Sequence, residues 1–384
     1  MTEGGAFCVV DERRAEAALA GARSIDRVRR GEPRTQSLGL DGRSLAVVSM
    51  FQDSESLVPA VHGWSEGERL EGTALVSEGG SRLRRDIAGT RPLFLASDGT
   101  WAASDWRFFR GEGAQLLLPG SLYDLSTGVL ELKKVGHEEF QGSFEDAAKK
   151  LARALEDSIR GRVKGYRKVA VAFSGGIDSA ILACVASKAT EVVACVGAAR
   201  GSRDFVGAKV AADLLGIELR MFGVDSAMIR DELRGLDLPF SPSPMDRSLW
   251  CLYSIVSRGA AESGAQTILL GQLSDELFAG YAKYVAAGEE GAASRMMESD
   301  FEACGERGLV RDEAACSRCL QPAFPFAEQG VVRLARSLPM SFKIRDRARK
   351  AVLREAARSM GVPEELAGAE KKAAQYSSGI QKLV

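Results

Sequence analysis

The sequence predicts an α/β protein with a β-rich front part and a longer part built on a parallel sheet. Up to about residue 135, short apolar segments such as 6–10, 45–50 and 91–96 are separated by clusters of Gly, Asp and Ser, which is typical of antiparallel strands joined by polar turns. Farther along, uninterrupted apolar strands alternate with helical patterns. Such alternation predicts a parallel sheet that helices cover on both faces.

The second part begins with a helix, since Ser143 followed by Asp146 resembles a capping box and apolar residues then recur at four-residue spacing from Leu151 to Val163. Predicted strands and helices then alternate: strand 168–173, helix 179–187, strand 191–197, helix 205–215 and strand 267–270. From about residue 280 the pattern is mostly helical. We place the domain boundary between residues 138 and 139, which gives a domain 1–138 resembling an antiparallel sandwich and an α/β domain 139–384 with a doubly wound parallel sheet and a helical C-terminal part.

Composition limits the classes of function. The 384 residues include 45% hydrophobic and 27% charged residues, as in ordinary soluble globular proteins. The 51 basic residues balance 52 acidic ones, so no global field favours nucleic acid or an anionic membrane. Apolar runs fall short of the roughly 20 residues that a membrane span needs. Seven scattered cysteines favour a reducing cytoplasm over a disulfide framework. We therefore expect a cytoplasmic protein with small-molecule partners, and leave a homodimer open.

The stretch 174–179, SGGIDS, interrupts two apolar segments between a predicted strand and a predicted helix. Gly175 and Gly176 lack side chains, so backbone N–H groups can approach an oxyanion, and Ser174 and Ser179 add hydroxyl donors. A helix N-terminus adds a positive dipole end that suits phosphate. Asp178 would repel phosphates unless a divalent cation lies between them, which suggests Mg²⁺. An ordinary capped turn is the alternative interpretation.

A second stretch, ILLGQLSDELFAGYAKY at 268–284, ends another apolar strand with Gly271 and continues into Asp275 and Glu276. Two acidic strand ends in one parallel sheet can face each other across a single metal–phosphate site. Helix capping near a dipole is the alternative interpretation of the two acids.

These two stretches resemble the synthetase domain of the asparagine synthetase family, which belongs to the ATP pyrophosphatases with an SGGxDS phosphate loop. Three later stretches follow in the family's order: PFAE at 325–328, KAVLRE at 350–355 and KKAAQY at 371–376. The resemblance covers about residues 140–384.

The resemblance implies that the protein activates a carboxylate by attack on the α-phosphate of ATP, releasing pyrophosphate, after which ammonia displaces AMP to form an amide. ATP and Mg²⁺ are the implied cofactors, with Asp178 and Asp275 as metal ligands. Lys371 matches the family's catalytic lysine, with Lys372 as the alternative. The implied nucleotide-binding residues are Phe173, Ser174, Gly175, Gly176, Ile177, Asp178, Ser179, Val196, Gly271 and Lys350.

The sequence departs from the family at the aminating step. Gln272 occupies the position of the family's glutamate, and an amide cannot accept a proton as a general base. Gln272, Glu276 and Lys371 are the predicted catalytic residues, and aspartate is the best candidate substrate. Two alternatives remain open. One is a β-lactam-synthetase-like cyclase, in which Tyr253 would contribute to a tyrosine–glutamate-type pair. The other is a nucleotide-binding scaffold without catalysis.

The front domain resembles the family's glutaminase domain through LRRDIAGTRPLFL at 83–95. The family's nucleophilic cysteine near the N-terminus is replaced by Thr2, and the motif that would hold the oxyanion is missing from the sequence. Cys8 lies in a predicted buried strand and is interpreted as a small core residue. We therefore expect the front domain to be a degenerate glutamine amidotransferase-like domain, and free ammonia to be the nitrogen source.

Overall fold

The computed structural model describes residues 2–4, 7–19, 34–40, 43–49, 60–66, 69–76, 82–109, 113–132, 138–199, 202–369 and 379–384. The chain divides into two compact units, of which the first comprises Met1–Gly136 and Gly305–Val310 and the second His137–Cys304 and Arg311–Val384. The predicted sites all belong to the second unit.

The strands of the first unit are β1 (Thr2–Gly4), β2 (Phe7–Asp11), β3 (Arg34–Leu40), β4 (Arg43–Ser49), β5 (Ala60–Glu66), β6 (Arg69–Val76), β7 (Arg82–Arg85), β8 (Phe94–Ala96), β9 (Ala102–Ala103), β10 (Ala114–Leu116), β11 (Ser121–Asp124) and β12 (Leu130–Leu132). Those that follow are β13 (Lys168–Ala172), β14 (Glu191–Ala199), β15 (Glu218–Val224), β16 (Ile268–Leu269), β17 (Pro322–Ala323), β18 (Ile344–Arg345) and β19 (Ala348–Arg349).

The helices are α1 (Phe144–Val163), α2 (Ile177–Ala186), α3 (Arg203–Leu215), α4 (Ser226–Arg234), α5 (Pro244–Glu262), α6 (Ser274–Leu277), α7 (Ala282–Ala286), α8 (Glu290–Ala303), α9 (Leu309–Cys316), α10 (Gln329–Ser337), α11 (Met340–Lys343), α12 (Ala351–Ser359) and α13 (Glu364–Ala367). Residues 15–19 are also helical. Short 3₁₀ segments occur at Glu12–Arg14, Trp106–Phe109, Pro325–Ala327 and Ile380–Lys382, and a π-helical turn at Cys304–Gly308.

The first unit consists of two antiparallel sheets of six strands each, in the orders β1-β5-β6-β7-β11-β12 and β10-β8-β9-β2-β4-β3. One core cluster joins them, because Val9 and Val47 from the second sheet pack in the same cluster as Leu83 and Tyr123 from the first. Cys8 is fully buried on β2, as the sequence predicts. Two sheets with a shared core confirm the predicted antiparallel layers, and the relation to glutaminases stays a prediction.

The second unit is built on a parallel sheet of five strands in the order β15-β14-β13-β16-β17. Residues 192–198 of β14 are all buried, as expected when helices cover both faces of a parallel sheet. The chain first adds strands on one side of β13 and then crosses to β16 on its other side. The carboxyl ends of β13 and β16 therefore flank the point where the strand order reverses, which is where open α/β sheets bind ligands.

Local signals in the sequence explain where the helices around this sheet begin. Ser143 caps α1 in a capping box with Asp146, as predicted. Ser243 caps α5 in the same way with Asp246, and Pro244 occupies the first helical turn, where its missing N–H costs nothing. In the part of the chain that the structure describes, no helix combines the length and apolarity needed to cross a bilayer.

Candidate active site

The loop after β13 forms an open helix N-terminus. Gly176 is the N-cap of α2 and supplies no side-chain acceptor to the first N–H groups of the helix. Ser174 Oγ accepts a hydrogen bond from Gly176 N at 3.2 Å and lies 3.4 Å from Ser179 Oγ, which donates to the Gly176 carbonyl at 3.0 Å. The two hydroxyls are thus held against the loop, and the uncapped N–H groups suit a phosphate ligand.

Gly175 is required by the shape of this loop. Its φ of +72° lies in the left-handed region that side chains rarely adopt, and a Cβ there would lie 2.9 Å from the Gly207 carbonyl oxygen. Gly271 plays the equivalent part after β16, because a Cβ there would lie 3.1 Å from Asp178 Cβ. The two glycines therefore let the two strand-end loops and the neighbouring backbone approach one another closely.

Lys350 joins the two acidic strand ends. Its Nζ lies 2.6 Å from Asp178 Oδ1 and 2.7 Å from Asp275 Oδ1, and Ser274 Oγ donates to Asp178 Oδ1 at 2.6 Å. Only 5% of Lys350 is exposed, so these contacts lie largely out of water. The structure thus brings Asp178, Asp275 and Lys350 together in one ion-paired cluster.

The electrostatics of this cluster follow from burial and opposite charge. Burial alone would lower the pKa of Lys350, but the carboxylates of Asp178 and Asp275 outweigh it and raise the pKa. Burial raises the pKa of Asp178, and the Lys350 ammonium partly offsets that rise. Glu276, beside Asp275, has a pKa raised to about 7 by burial and by the charge of Asp275, while the Tyr281 hydroxyl donates to its Oε1 at 2.7 Å.

Backbone strain is concentrated in the same loops. Leu273, Ala279 and Lys350 all have positive φ, at 70°, 57° and 58°. Gly280 lies so close to the cluster that a Cβ would fall 2.5 Å from Lys350 Cε. Strained non-glycine residues persist where the surrounding structure determines them, and they are often found at functional sites.

The cluster forms part of the wall of a cavity of about 150 Å³ at the carboxyl ends of β13 and β14. Its lining includes most of the predicted nucleotide-binding residues: Phe173, Ser174, Gly176, Ile177, Asp178, Ser179, Val196, Gly271 and Lys350. Asp275 and Gln272 also line it. The spatial grouping predicted from the two stretches is therefore present in the structure.

Three predicted residues stand apart from this group. Gly175 shapes the loop without lining the cavity. Glu276 does not line this cavity either; it lines a second, smaller one of about 60 Å³. Lys371, with its alternative Lys372, lies outside the described residues.

The cavity wall also includes residues that sequence reasoning did not single out. Arg349 donates through Nη1 to the Gly280 carbonyl at 2.6 Å, and Arg354 donates to the Ala367 carbonyl at 2.6 Å. Both arginines line the cavity. Arg354 belongs to the KAVLRE stretch and Arg349 to the charged run 343–350, but only Lys350 was predicted to bind the nucleotide. The signal available in the sequence was the presence of two further basic residues close to Lys350.

A buried polar network lies behind the cavity wall around Gln272. The Nε2 of Gln272 donates to the Tyr253 hydroxyl at 3.1 Å and to Asp312 Oδ2, and Tyr253 lines the cavity beside it. Arg311 pairs with Asp312 at 2.7 Å and with Asp246 at 2.9 Å. Burial and the negative charge of Asp312 raise the pKa of Tyr253 well above its usual value, so the phenol is protonated.

The amide at position 272 therefore sets the direction of the Tyr253 hydroxyl. Because Gln272 Nε2 is the donor in their contact, the phenolic proton is directed elsewhere, and it has no acceptor among the described residues. The Asp312 carboxylate fixes this orientation of the amide, since a carboxylate accepts from the NH₂ group and not from the carbonyl oxygen. Tyr253 is thus a hydrogen-bond donor at the cavity wall.

Comparisons with known proteins show the family of this chain. A family model described as asparagine synthase matches residues 150–299 and 286–383. The chain belongs to the asparagine synthase family. The match covers the parallel sheet, both strand-end loops and Lys350, and it begins after the Met1–Gly136 part of the first unit.

Relatives of this asparagine synthase family chain include glutamine-hydrolysing enzymes. It is 28% identical over 292 residues to the protein assigned as glutamine-hydrolysing asparagine synthetase 1 of Methanocaldococcus jannaschii, covering 63% of this chain and 51% of that protein. It is 25% identical over 289 residues to the glutamine-hydrolysing asparagine synthetase of Sandersonia aurantiaca, covering 68% of this chain and 53% of that protein. The chain thus spans about half the length of these relatives.

A shorter match is to asparagine synthetase domain-containing protein 1 of Bos taurus, at 31% identity over 160 residues, covering 36% of this chain and 25% of that protein. Among solved structures, the NMN synthetase of Francisella tularensis matches at 13% identity with a TM-score of 0.34, covering 62% of this chain and 79% of that chain. A score that low establishes no shared fold.

Proposed function

We propose that this protein is an ATP-dependent, AMP-forming amide ligase that activates a carboxylate, with aspartate as the best candidate, and aminates it with free ammonia. One observation carries the proposal: the SGGIDS loop, the second acidic strand end and Lys350 meet at one cavity. Membership of the asparagine synthase family agrees with it. Activation and amination both develop charge, so positioned charges and hydrogen-bond donors are what the reaction needs.

In this proposal, the open N-terminus of α2 and the hydroxyls of Ser174 and Ser179 hold the pyrophosphate part of ATP. Lys350, whose pKa is raised, stays charged at neutral pH and screens the phosphates from Asp178 and Asp275. Arg349 and Arg354 add positive charge at the same wall. The site therefore combines donors for the leaving pyrophosphate with fixed positive charge, which stabilises the developing negative charge.

The residues present fit a magnesium ion that is shared with the nucleotide. Mg²⁺ is usually bound by one or two protein carboxylates together with substrate phosphates and water. Asp178 and Asp275 are two such carboxylates at the cavity wall, and among the described residues no group of three or more His, Cys, Asp or Glu side chains could hold a metal by itself. When bound, the ion would neutralise phosphate charge, while Lys350 keeps the two carboxylates together.

A direct test is ATP–pyrophosphate exchange with a panel of carboxylic acids in the presence of Mg²⁺. We expect exchange that depends on the acid, with aspartate giving the strongest signal, and asparagine formation when ammonium is added. Glutamine should not replace ammonium, since the sequence predicts a degenerate glutaminase domain. Absence of exchange with every acid would contradict the ligase and favour a nucleotide-binding scaffold.

The contact between Tyr253 and Gln272 favours a second candidate, a cyclase similar to β-lactam synthetases, in which an internal amine attacks the adenylate. The resemblance assigns these enzymes a tyrosine–glutamate pair, and this chain pairs a tyrosine with an amide at 3.1 Å. The amide cannot accept a proton, so in this chain Tyr253 would act as a donor to the substrate. Exchange driven by a β-amino acid, together with release of AMP and a cyclised product in the absence of ammonium, would favour the cyclase over the ammonia-dependent ligase.

A double-mutant cycle tests the paired action of Tyr253 and Gln272. We expect Tyr253→Phe and Gln272→Leu each to lower kcat/KM for exchange by about tenfold, the size of one lost hydrogen bond of about 1.4 kcal/mol. The double variant should be little worse than either single one, because Gln272 acts by orienting Tyr253.

The matched control for this cycle is Tyr284→Phe. Tyr284 is buried, whereas Tyr253 is half-buried, and Tyr284 donates to Asp300 Oδ2 at 2.6 Å without lining the cavity. It should change stability and leave kcat/KM unchanged. Strictly additive losses for Tyr253→Phe and Gln272→Leu would show that the two residues act separately.

A further inference from the structure

The side-chain amide of Gln272 offers a carbonyl oxygen to the larger cavity, at the carboxyl ends of β13 and β14. Its Nε2 donates to the Tyr253 hydroxyl at 3.1 Å and to Asp312 Oδ2, so both protons of the NH₂ group are used. Its Oε1 has no hydrogen-bond partner among the described residues and is not buried, and Gln272 lines the cavity. This oxygen is therefore an accessible hydrogen-bond acceptor at the cavity wall.

The Tyr253 hydroxyl is the donor that lies beside this acceptor. Burial raises the pKa of Tyr253 well above its usual value, so the phenol keeps its proton. The pair thus offers one acceptor and one donor, and neither an amide nor a protonated phenol takes up a proton at neutral pH. An acceptor orients an N–H group of a nitrogen substrate, whereas a donor stabilises negative charge on a reacting carbonyl oxygen.

The carboxylates behind Gln272 are engaged by a buried arginine. Asp312 Oδ1 pairs with Arg311 at 2.7 Å, its Oδ2 accepts from the Gln272 amide, and its side chain is fully buried. Asp246 is also buried and pairs with the same arginine at 2.9 Å. Neither carboxylate lines the cavity, so neither is in a position to accept a proton from a molecule bound there.

The carboxylates that do line the cavity are either paired or separated from Gln272. Asp178 and Asp275 both contact Lys350, at 2.6 Å and 2.7 Å. Asp204 lies in the first turn of α3, which follows β14, and β13 separates β14 from β16 in the sheet. Two strand spacings of about 4.8 Å each therefore lie between Asp204 and the strand that leads to Gln272. Among the described residues of the cavity wall, the group nearest the expected nucleophile is thus an amide.

A nitrogen nucleophile attacks an acyl-adenylate through its lone pair, so it has to be unprotonated when it reacts. An alkylamine like that of lysine, with a pKa of about 10.4, has only about one molecule in 2,500 unprotonated at pH 7. A general base beside the nucleophile overcomes this by taking the proton from the bound ammonium group. With the Gln272 amide in that place, the nucleophile has to arrive already uncharged.

We propose that Gln272 adapts the site to a weakly basic nitrogen nucleophile, a small amine that is uncharged at neutral pH, and that ammonia is a slower substitute for it. The inference rests on the proposed function, because it concerns the second step of that reaction. In that step the C–N bond forms, the bond between the acyl carbon and the AMP oxygen breaks, and AMP leaves with the electron pair. The proton that nitrogen loses passes to the phosphate of the leaving AMP. Gln272 Oε1 orients the N–H group, and the Tyr253 hydroxyl donates to the acyl oxygen.

The test measures the two steps of the reaction separately in the full chain. ATP–pyrophosphate exchange without any amine reports activation alone, and absence of exchange with every acid contradicts the proposed function and this inference with it. With an acid that supports exchange, amide formation is then compared with ammonium chloride and with methoxyamine, a much weaker base.

We expect the wild type to use methoxyamine with saturation and with a kcat/KM on total amine at least about tenfold above that for ammonium at pH 7. The rate with ammonium should rise about tenfold per pH unit from pH 6 to pH 8, as the unprotonated fraction does, while the rate with methoxyamine changes little.

Gln272→Glu/Asp312→Asn exchanges the positions of the amide and the carboxylate, so their hydrogen bond is kept while position 272 gains a proton acceptor. The double variant should improve the use of ammonium relative to methoxyamine by about tenfold or more at pH 7, and should flatten the pH dependence with ammonium. Gln272→Glu alone is a second variant with the same expected direction, and the wild-type pH profile decides the matter if neither variant folds.

Gln266→Glu is the matched control, because Gln266 is exposed and does not line the cavity. It adds the same negative charge and should leave the ratio of the two amines unchanged. Exchange combined with a wild-type preference for ammonium that is flat with pH would overturn the inference and leave the proposed function standing. A methoxyamine rate that does not saturate would overturn it too, as would an unchanged ratio of the two amines in the folded double variant.

Discussion

Lys350→Met should abolish ATP–pyrophosphate exchange and lower the free energy of unfolding by about 2–4 kcal/mol. This loss of stability is somewhat smaller than the loss expected when a fully buried ion pair is broken. The ammonium of Lys350 is the counter-charge for both Asp178 and Asp275, at 2.6 Å and 2.7 Å. Methionine fills a similar volume without charge, so two carboxylates that are each about a quarter exposed would repel one another.

Divalent cations provide a second readout for this variant. If Asp178 and Asp275 can hold Mg²⁺, the ion should recover part of the lost stability in Lys350→Met, and should affect the wild type less because the ammonium is already present. Urea midpoints measured with EDTA and with Mg²⁺ give the stability lost in Lys350→Met and the part of that loss that the ion recovers.

The matched control is Lys209→Met, because Lys209 pairs with Asp213 at 3.0 Å with both side chains more than 60% exposed. It should change stability by less than about 0.5 kcal/mol. Unchanged stability of Lys350→Met in EDTA would contradict the ion-pair account of this cluster.

Arg311→Met should destabilise the protein by about 3–5 kcal/mol at neutral pH, because it leaves Asp312 and Asp246 buried without their shared cation. Arg311 and Asp246 have side chains only 8% exposed, and Asp312 is fully buried. The variant should also impair exchange, because Gln272, and through it Tyr253, is held by the Asp312 carboxylate.

The loss in Arg311→Met should depend on pH in a defined direction. Burial already raises the pKa of Asp312 in the wild type, with Arg311 opposing the rise, so removing Arg311 raises that pKa further. A carboxyl whose folded pKa lies above its unfolded value of about 3.9 binds more protons when folded, so its contribution is present at low pH and is lost as pH rises. The difference from wild type should therefore be small near pH 4 and grow towards pH 8.

Urea midpoints from pH 4 to pH 8 measure this difference. Arg311→Met/Asp312→Asn should recover part of the loss at neutral pH, because the buried carboxylate is then absent. Arg234→Met, which removes an exposed partner of Asp231, is the control and should show little change at any pH. A loss that is independent of pH would indicate a packing defect.

Local patterns predicted the elements that place the site. The capping pair Ser143–Asp146, the alternation of strands and helices, and the glycine loop all depend on residues close in sequence, and the structure confirms them. Strand β15 (Glu218–Val224) and the short β17 (Pro322–Ala323) were not predicted. In β15 the exposed and half-buried positions weaken the apolar signal, and β17 has only two residues.

The sequence by itself predicted that SGGIDS and the second acidic stretch end two strands of one parallel sheet, and parallel strands present their carboxyl ends at one edge of the sheet. Only the tertiary structure decided which residue neutralises the negative charges of Asp178 and Asp275. Lys350, with φ of 58° at the start of α12, reaches back between Asp178 and Asp275, and no local pattern encodes a contact between such distant segments.

Consecutive residues of a helix point in directions about 100° apart, so Asp275 and Glu276 face different surroundings. Tertiary structure decided what those surroundings are, because the elements packed around this helix form the first cavity beside Asp275 and the second beside Glu276. It also decided that Gln272 turns the Tyr253 hydroxyl outward as a donor, since the buried Asp312 carboxylate orients the amide. Sequence therefore determines which chemical groups are available at the sheet edge, whereas charge compensation and hydrogen-bond direction depend on residues that only folding brings into contact.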